Sequence, residues 1–550
     1  MRDYSVLVGG QAGDGIRQVG GLVARLFNTL GYRIYFWDDY PSLIRGGHNF
    51  SIIRACEQKI FAHTDKVDLV VALNQKTVEK HKWRLKPGGQ VLYDSDVVKS
   101  DGLGIGLTGI VKEAGGKPEM RNIAALGAVA QTLGVEWATL EGLIRRAVKK
   151  QTETNLKIAE ASYKKAGRPT LRVEKLPAPP LPLIAGNEAI ALGAVRAGLN
   201  LYIAYPMTPA SSILHFLAAH EQDLGVVTYH PENEIAAVIS AIGGAYAGAR
   251  TMVGTSGGGF ALMTEGLSLC GQSETPVVFL VSQRPGPSTG VPTYTMQGDL
   301  FFVLNAGHGE FVRLVVAPGD PDQAFHLTGL AMNMAWKHQI PALVISDKNL
   351  SESTFSFEAK GDEVVRQEGL VWDGSGQYKR YTLTESGVSP LAYPGDERVV
   401  VKATSYEHDE YGITTEEPEG IARMQDKRLA KRKQLAADIE AHEAVRVYGN
   451  PEASVALITW GSTKGACMEV AQEMGLRVIQ PVVLEPLPVG SIKKALEGAS
   501  RLVGVETNAT GSLSRLLACH GIKVEQSVLK YDGRPFTIDG LRDRIAEVVK

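Results

Sequence analysis

The chain has 550 residues, a formal net charge of −2 at pH 7 and 21% charged residues. A chain of this length is too long to fold around a single hydrophobic core, so we expect roughly three or four domains. The near-zero charge with dispersed Lys and Arg argues against a nucleic-acid or anionic-membrane surface, and no apolar run reaches the ~18 residues of a membrane span.

The N-terminus and the cysteines both favour a cytoplasmic location. The chain enters a strand directly at YSVLVGG, without the basic and apolar regions of a secretory signal. Four cysteines are scattered without any CxxC spacing. They fit buried thiols in a reducing compartment better than a zinc site or an iron–sulfur cluster.

Residues 1–167 predict a complete α/β domain. The β-branched strand YSVLVGG runs into a Gly-rich turn and then into an amphipathic helix, which is a βα unit. Further strands are predicted at RIYFWDDY, NFSIIRA, VDLVVAL and GQVLYDS, and helices at RNIAALGAVAQTLG and WATLEGLIRRAVKK.

The Gly-rich turn of this domain is a candidate phosphate cradle. Glycines beside a helix N-terminus expose N–H groups to an anion, which makes Gly10, Gln11 and Gly13 candidate cofactor contacts. A tight βα connection explains the glycines equally well, because the turn matches neither GxGxxG nor the Walker pattern. The next polar junction is RGGHN, in which Arg45 is the candidate anion contact and His48 fits a surface or core-edge histidine.

The remaining chain divides by composition. A Pro-rich linker precedes a domain in which apolar strands alternate with small-residue helices, and a polar Gly-rich stretch follows it. The chain ends in a β-α-β-α-β-α-β pattern, which predicts a small, all-parallel doubly wound domain. In the polar stretch, RMQDKRLAKRKQLAADIEAHEAVRVYG predicts a helix whose charges are solvated. The predicted bounds are 168–185 for the linker, 186–356 for the alternating domain, 357–449 for the connecting region and 450–550 for the last domain.

Polar residues in the alternating domain occur where strands give way to helices. These residues are Thr208, Glu234, Thr255 with Ser256, and Arg284. In an open parallel sheet such junctions form the ligand site. Each position also has a simpler explanation: Thr208 as a helix cap, Glu234 as a favourable helix start, and Arg284 as an interface ion pair. The loop from Thr255 could likewise be glycine-rich only because it passes close to a neighbouring segment.

The helix that begins at Glu234 is almost free of polar residues. Its sequence, IAAVISAIGGAYAGA, predicts a buried and closely packed helix, within the chain or across a subunit boundary. A carboxylate at the start of such a helix suits a group that shares a proton with a heterocycle nitrogen.

Together these residues resemble a known family, the 2-oxoacid:ferredoxin oxidoreductases. YPMTPAS resembles the YPITPSS signature of that family, and GGQAGDGI and RGGHNFSIIR resemble its γ domain. The α subunit is resembled by ENEIAAVISAIGGAYAGAR, TSGGGFALM, QRPGPSTGVPT, EHDEYG, VVLEPLP, VETNATGSL and YDGRPF. The resemblance spans nearly the whole chain as a fused γ–α subunit, most like 2-oxoglutarate enzymes. It implies a multidomain α/β fold: a γ-type domain, a doubly wound pyrimidine-binding-type domain and a transketolase-C-like domain.

The resemblance also implies a reaction and the residues that serve it. A 2-oxoacid, coenzyme A and oxidised ferredoxin would give acyl-CoA, carbon dioxide and reduced ferredoxin, in either direction, on thiamine diphosphate. Glu234 would hydrogen-bond the aminopyrimidine N1′, beside Tyr205 and Pro206 of the signature. Thr208 and Arg284 would hold the 2-oxoacid carboxylate, and the loop of Gly10, Gln11 and Gly13 with Arg45 would help to receive coenzyme A.

Two motifs that the reaction needs do not occur in this sequence. GDG is not followed by an Asn pair, and the cysteines cannot hold a cluster. The resemblance therefore implies a β subunit that brings Mg²⁺, the diphosphate motif and a 4Fe–4S cluster, with ferredoxin as a further partner, in a dimer of γ–α/β units. The competing hypotheses are a non-catalytic nucleotide-binding scaffold subunit and a transketolase-type thiamine enzyme subunit.

Overall fold

The computed structural model describes residues 1–43 and 46–549, which form three β-sheets with α-helices between their strands. The predicted multidomain α/β class is confirmed. Two compact units are distinguished, and the segments of each are far apart in sequence. The first unit comprises Met1–Ile184, Ser353–Glu358 and Thr537–Asp543, and the second comprises Ala185–Glu352, Ala359–Phe536 and Arg544–Lys550.

The strands and helices alternate over most of the chain. The strands are β1 (Asp3–Ala12), β2 (Arg33–Asp39), β3 (Gly46–Cys56), β4 (Val67–Ala72), β5 (Leu85–Asp94), β6 (Leu103–Ile105), β7 (Leu183–Ala185), β8 (Leu201–Ile203), β9 (Val227–Tyr229), β10 (Thr251–Thr255), β11 (Val278–Gln283), β12 (Leu314–Val316), β13 (Ala342–Asp347), β14 (Thr354–Ser356), β15 (Val445–Gly449), β16 (Val455–Ile458), β17 (Arg477–Pro481), β18 (Val483–Glu485), β19 (Arg501–Glu506) and β20 (Gln526–Leu529). The α-helices are α1 (Ile16–Thr29), α2 (Gln75–His81), α3 (Leu107–Glu113), α4 (Arg121–Thr132), α5 (Trp137–Ala147), α6 (Thr152–Lys165), α7 (Gly186–Arg196), α8 (Ser211–Ala219), α9 (Glu221–Leu224), α10 (Glu234–Tyr246), α11 (Gly257–Ser273), α12 (Leu300–Asn305), α13 (Pro321–His338), α14 (Lys348–Glu352), α15 (Pro418–Glu440), α16 (Lys464–Met474), α17 (Val489–Ala495), α18 (Ser512–Ala518) and α19 (Ile538–Val549). Among the described residues, no helix is both long enough and apolar enough to cross a membrane.

The first unit contains a mixed sheet in the order β6-β5-β4-β1-β3-β2-β14-β7. β1 pairs parallel with β4 and antiparallel with β3, and its apolar residues Val6 and Val8 join α1 in the core. β14 pairs antiparallel with β2, which brings Ser353–Glu358 into this unit. The predicted bound of 1–167 omits this segment, since pairing between distant segments leaves no local pattern.

The Pro-rich linker is not a free spacer over its whole length. Val173 and Leu176 are buried in the core of the first unit, and the N–H of Leu176 donates to the Leu30 oxygen at 2.8 Å. The apolar residues between the prolines therefore dock this stretch at the end of α1.

The second unit contains a sheet in the order β18-β12-β13-β11-β10-β8-β9. Its neighbouring strands run parallel except β12 and β18. β8, β10 and β11, whose ends carry the predicted site residues, therefore lie side by side.

The C-terminal sheet of the second unit has the order β15-β17-β16-β19-β20. The predicted bound of 450 and the all-parallel pattern both need correction here. The first strand, Val445–Gly449, lies before that bound and pairs antiparallel with β17. The predicted charged helix included VRVYG, and that part of the prediction is wrong: α15 ends at Glu440 and VRVYG forms a strand.

The charged helix α15 was predicted to be solvated, and that prediction is wrong for three of its cations. Lys427, Arg428 and Lys431 are buried. Both lysines pair with the buried carboxylate of Glu274, and Arg428 pairs with Glu407. Charge density in the sequence does not reveal a buried partner more than a hundred residues away.

Candidate active site

Three neighbouring strand ends bring predicted site residues to one edge of the second unit's sheet. In the register of the parallel strands, Ile203 of β8 lies opposite Val253 of β10, and Thr255 lies opposite Val281 of β11. The segment from Tyr205 onwards follows β8, Ser256 follows β10, and Arg284 follows β11. This is the edge at which parallel α/β sheets bind ligands.

Glu234 is the first residue of α10 and is buried, with 4% of its surface exposed. The side chain of Asn233 caps the helix by accepting from the N–H of Ala236 at 2.9 Å, so Glu234 does not serve as the cap. Its Oε1 is buried and, among the described residues, has no hydrogen-bond partner. An unpaired buried carboxylate oxygen is costly and indicates a ligand that completes it.

Gly259 of α11 leaves the space in which the Glu234 carboxylate lies. A Cβ at position 259 would overlap Oγ1 of Thr255 and would stand 3.0 Å from both Cγ and Oε1 of Glu234, all closer than ordinary contacts. The orphaned oxygen and this glycine together fit a heterocycle with a ring nitrogen that bonds the carboxylate, as the aminopyrimidine of thiamine diphosphate has.

The helix α10 is only partly buried by its own chain. Ala237, Val238 and Ala241 lie in the core, whereas Ile235 is 53% and Ile239 44% exposed. The prediction of a buried helix therefore holds for one face, and the other is an exposed apolar surface.

Arg284 and Thr208 are brought together across β10. Nη1 of Arg284 donates to the main-chain oxygen of Thr208 at 2.8 Å. Burial lowers the pKa of Arg284, and the Asp299 carboxylate counters part of that effect. The guanidinium is thus anchored to the turn after β8 while it lines a cavity.

That cavity has a volume of about 480 Å³. It is lined by Met207, Ser256, Gly257, Gly258, Ala261, Arg284, Gly286, Pro287, Ser288, Thr289, Asp299 and Phe302. The hydroxyl of Ser256 is buried without a hydrogen-bond partner among the described residues. The site therefore offers one guanidinium and a glycine-rich helix start to a small anion.

Two features of this cavity carry no signal in the sequence analysis. Asp299 lies at a loop end rather than at a strand end, so the strand-junction pattern does not mark it. The individual roles of Gly257 and Gly259 depend on which neighbours face them: Asp299 lies against Gly257, and Glu234 lies against Gly259.

Tyr205 and Pro206 sit in the turn after β8. Tyr205 is 37% exposed, and its ring centroid lies 5.8 Å from that of His230. His230 itself precedes the Pro231–Glu234 segment that opens α10. The two rings mark the exposed entrance between the end of β8 and the start of α10.

The predicted phosphate loop belongs to the first unit. Gly10 and Gln11 lie at the end of β1 rather than in a turn, and Gly13 has φ 101° with open space where a Cβ would stand. The N–H of Gln11 donates to the Asp14 carboxylate at 2.9 Å, and Arg121 bonds the same carboxylate at 2.7 Å. The loop therefore already holds an internal anion.

A cavity of about 460 Å³ adjoins this loop, lined among others by Gln11, Gly13, Arg17 and Asp38. Arg45 lies outside the described residues. His48 is buried rather than at the surface, and its Nε2 lies 2.8 Å from Nε2 of His81.

Sequence models of two protein families match the chain. One, described as pyruvate ferredoxin/flavodoxin oxidoreductase, matches residues 5–165. The other, described as pyruvate flavodoxin/ferredoxin oxidoreductase, thiamine diP-bdg, matches residues 192–427. The second match contains the segment from β8 to β11, with Glu234 at the start of α10 and Arg284 directly after β11.

Whole-chain comparisons agree with these matches. The 2-oxoacid:ferredoxin oxidoreductase subunit alpha of Saccharolobus solfataricus is 30% identical over 99% of this chain and 98% of that protein. The 2-oxoglutarate oxidoreductase subunit KorA of Mycobacterium tuberculosis is 27% identical over 98% of this chain and 90% of its own. The solved structure of 2-oxoglutarate:ferredoxin oxidoreductase from Magnetococcus marinus, with 2-oxoglutarate, coenzyme A and succinyl-CoA bound, matches with a TM-score of 0.91 and 30% identity over 100% of both chains.

Proposed function

The chain belongs to the family of 2-oxoacid:ferredoxin oxidoreductase alpha subunits, enzymes of EC 1.2.7 type, and on that premise we propose that it holds the 2-oxoacid and the thiamine aminopyrimidine. The reaction is oxidative decarboxylation of a 2-oxoacid with coenzyme A to acyl-CoA and carbon dioxide, electrons passing to ferredoxin, and it can run in reverse. The observation that carries the proposal is the buried, unpartnered Oε1 of Glu234 beside Gly259.

Glu234 is the residue assigned to thiamine diphosphate. When bound, that cofactor supplies the electron sink for decarboxylation. Glu234 would bond the pyrimidine N1′ and hold a proton there, which favours the imino form of the ring. Burial excludes water from the carboxylate, so the hydrogen bond would not be exchanged with solvent. Tyr205 and Pro206 would flank the pyrimidine at the entrance.

Arg284 and Thr208 are assigned to the substrate carboxylate. A guanidinium holds a carboxylate through parallel N–H bonds, and the bond from Arg284 to the Thr208 oxygen sets its orientation. The Thr208 hydroxyl would donate to the same carboxylate. Orientation of this group aligns the adjacent carbonyl carbon for attack.

We favour 2-oxoglutarate as the substrate, because relatives and a similar solved structure carry that name. Among the described residues that line the cavity, Arg284 is the one cationic side chain. A second substrate carboxylate therefore requires a cation from elsewhere in the assembly. The test is to compare the turnover rates of the complex with 2-oxoglutarate and with pyruvate. A rate with 2-oxoglutarate at least equal to that with pyruvate would support this choice.

A β subunit is the partner that the proposal requires. It would supply the diphosphate–Mg²⁺ motif and the 4Fe–4S cluster, neither of which this sequence encodes by motif. The exposed Ile235, Ile239 and Leu262 on α10 and α11 offer an apolar surface beside Glu234 for such a chain or for a second γ–α/β unit. We place the complex in the cytoplasm, where the free thiols of Cys270 and Cys467 stay reduced.

Coenzyme A is assigned to the first unit, at Gly10, Gln11 and Gly13 with Arg45. The open space at Gly13 and the adjoining cavity support this assignment. Asp14 must release the Gln11 N–H before that donor can reach a phosphate, because the two are bonded. The loop by itself also fits the scaffold hypothesis, in which a nucleotide binds and no reaction follows.

The test is to purify the chain with a β-type chain and to measure 2-oxoacid-dependent viologen reduction with and without coenzyme A. We expect reduction only with both chains, and a loss of about 10²-fold or more in kcat for Glu234→Gln, the usual scale for a lost proton-transfer partner. Thiamine diphosphate affinity, measured by calorimetry, should fall as well.

Glu232→Gln is the matched control, because Glu232 is exposed and lies two residues before Glu234, outside α10. Full activity of Glu234→Gln would overturn the cofactor assignment. No reduction with any 2-oxoacid by a cofactor-loaded complex would favour the scaffold hypothesis, and turnover that needs no electron acceptor would favour the transketolase type.

A further inference from the structure

We propose that binding of the 2-oxoacid at Arg284 takes up one proton, which the carboxylate of Asp299 receives. This inference rests on the proposed function, since it takes Arg284 as the residue that binds the substrate carboxylate. Asp299 would then act as a positioning residue that sets how strongly the site attracts an anion. It lines the same cavity of about 480 Å³ as Arg284.

The surroundings hold the Asp299 carboxylate in that cavity. The main-chain N–H of Asp299 donates to Oε1 of the buried Gln283 at 2.9 Å. This bond ties Asp299 to the end of β11, immediately before Arg284. A Cβ at Gly257 would lie 2.6 Å from Oδ2 of Asp299, so the carboxylate fills the space that this glycine leaves. The carboxylate thus lies at the start of α11, where an incoming anion would also bind.

Arg284 and Asp299 interact without direct pairing. In the described part of the chain they form no ion pair, and Arg284 uses Nη1 on the Thr208 oxygen. Burial raises the pKa of Asp299 to about 6, and the Arg284 charge opposes that rise. Among the described residues that line the cavity, Arg284 and Asp299 are the charged ones: α11 contributes Gly257, Gly258 and Ala261, and α12 contributes Phe302.

A substrate carboxylate at Arg284 shifts the protonation equilibrium of Asp299. The guanidinium charge is then shared with a second anion, and repulsion between the two carboxylates favours the protonated form of Asp299. The proton comes from solvent, the 2-oxoacid remains an anion, and no covalent bond changes. The neutral carboxyl also gains an O–H that can donate a hydrogen bond to the bound acid.

The test uses the holoenzyme complex and oxamate, an unreactive analogue of a 2-oxoacid. We expect the inhibition constant of oxamate to rise by up to about tenfold per pH unit above about pH 6, as single-proton linkage requires. Calorimetric titration in two buffers of different ionisation enthalpy should show uptake of up to one proton per oxamate. Asp299→Asn should remove both the pH dependence and the proton uptake and should bind oxamate more tightly at pH 8.

Glu265→Gln is the matched control, because it neutralises an exposed carboxylate of α11 that does not line this cavity, and it should keep the native pH profile. An unchanged slope in Asp299→Asn, or no proton uptake by the native complex, overturns the inference. The measurement of proton uptake uses the native complex, so it does not depend on the folding of any variant. If Arg284→Lys leaves oxamate binding unchanged, the substrate assignment itself fails; if it weakens binding while Asp299→Asn keeps the slope, only this inference fails.

Discussion

Arg284 donates a hydrogen bond of 2.8 Å from Nη1 to the main-chain oxygen of Thr208. The bond connects the segment after β11 with the turn after β8, and β10 lies between these two strands in the sheet. The position of the guanidinium therefore depends on how all three strands are arranged. The acceptor is a carbonyl oxygen, which no side-chain substitution at position 208 removes. The remaining N–H donors of the guanidinium stay available for an anion.

Arg284→Lys should raise the KM for the 2-oxoacid by about tenfold to a hundredfold, the scale of one charged hydrogen bond to a planar acceptor. The charge remains, but lysine cannot bond the Thr208 oxygen and a carboxylate in the same fork. Steady-state kinetics of the complex measures this change. Arg366→Lys, at an exposed position paired with Glu368, should leave KM unchanged. Equal KM values for both variants would contradict the assignment.

Thr208→Ala should have a smaller effect, a rise in KM of about twofold to tenfold, because one neutral hydroxyl is lost while the carbonyl that orients Arg284 stays. The comparison with Arg284→Lys separates the two contributions. A loss as large as that of Arg284→Lys would indicate instead that the substitution displaces the turn after β8.

Gly259→Ala should lower kcat and thiamine diphosphate affinity, because the new methyl group would overlap the Thr255 hydroxyl oxygen and lie 3.0 Å from the Glu234 carboxylate, so both side chains must shift. Gly258→Ala in the same helical turn meets nothing nearer than 3.9 Å and should cause a much smaller loss. Calorimetric binding of thiamine diphosphate to both variants measures the difference. Thermal denaturation should show that Gly258→Ala keeps the native stability, since alanine favours a helix over glycine by ~1 kcal/mol. Gly259→Ala should lower the melting temperature, because its methyl group also meets the Thr255 hydroxyl, so its binding is measured below that transition.

Glu274→Gln should destabilise the chain by about 3–5 kcal/mol, the usual result of removing one partner from a buried ion pair. Burial alone would raise the pKa of Glu274, but Lys431 and Lys427 hold it well below its usual range, so the carboxylate is ionised. Without it, two buried ammonium groups lose their counter-charge. Denaturant midpoints measure the change. Glu443→Gln, which breaks an exposed pair with Arg446, should cost about 1 kcal/mol or less.

The imidazole pair of His48 and His81 should make stability depend on pH in acid. Burial lowers the pKa of both groups well below the ~6.5 of an unfolded histidine. Below that value the unfolded chain binds protons that the folded chain excludes, so stability falls as pH decreases from about 6.5, and above it the pair contributes no pH dependence.

His81→Phe should reduce this acid sensitivity, because phenylalanine keeps the ring contacts and cannot be protonated. Apparent melting temperatures of native and variant protein between about pH 8 and pH 5 measure it. His220→Phe at a partly exposed position should keep the native pH profile. If both variants keep that profile, the buried pair is not its source.

Local patterns predicted most of the strands and helices, and the sheet edge at which the polar residues lie. The α/β class and the family followed from motifs in order, and Thr208, Glu234 and Arg284 lie at the expected junctions. Local patterns could not predict contacts between residues that are far apart in the sequence. Asp299, the pairing of Lys431 with Glu274, and the antiparallel β15 each depend on a contact between segments that no spacing rule connects.

The first unit is assembled from three segments, and this has a consequence for the chain as it leaves the ribosome. β14 pairs with β2, and the Ile538 N–H donates to the His63 oxygen at 3.1 Å. Until Thr354–Ser356 is translated, the apolar strand RIYFWDD remains an open sheet edge, the kind of template on which nascent chains aggregate. A chaperone that covers this edge during synthesis should therefore improve the soluble yield, and a gene cut at residue 184 should express poorly.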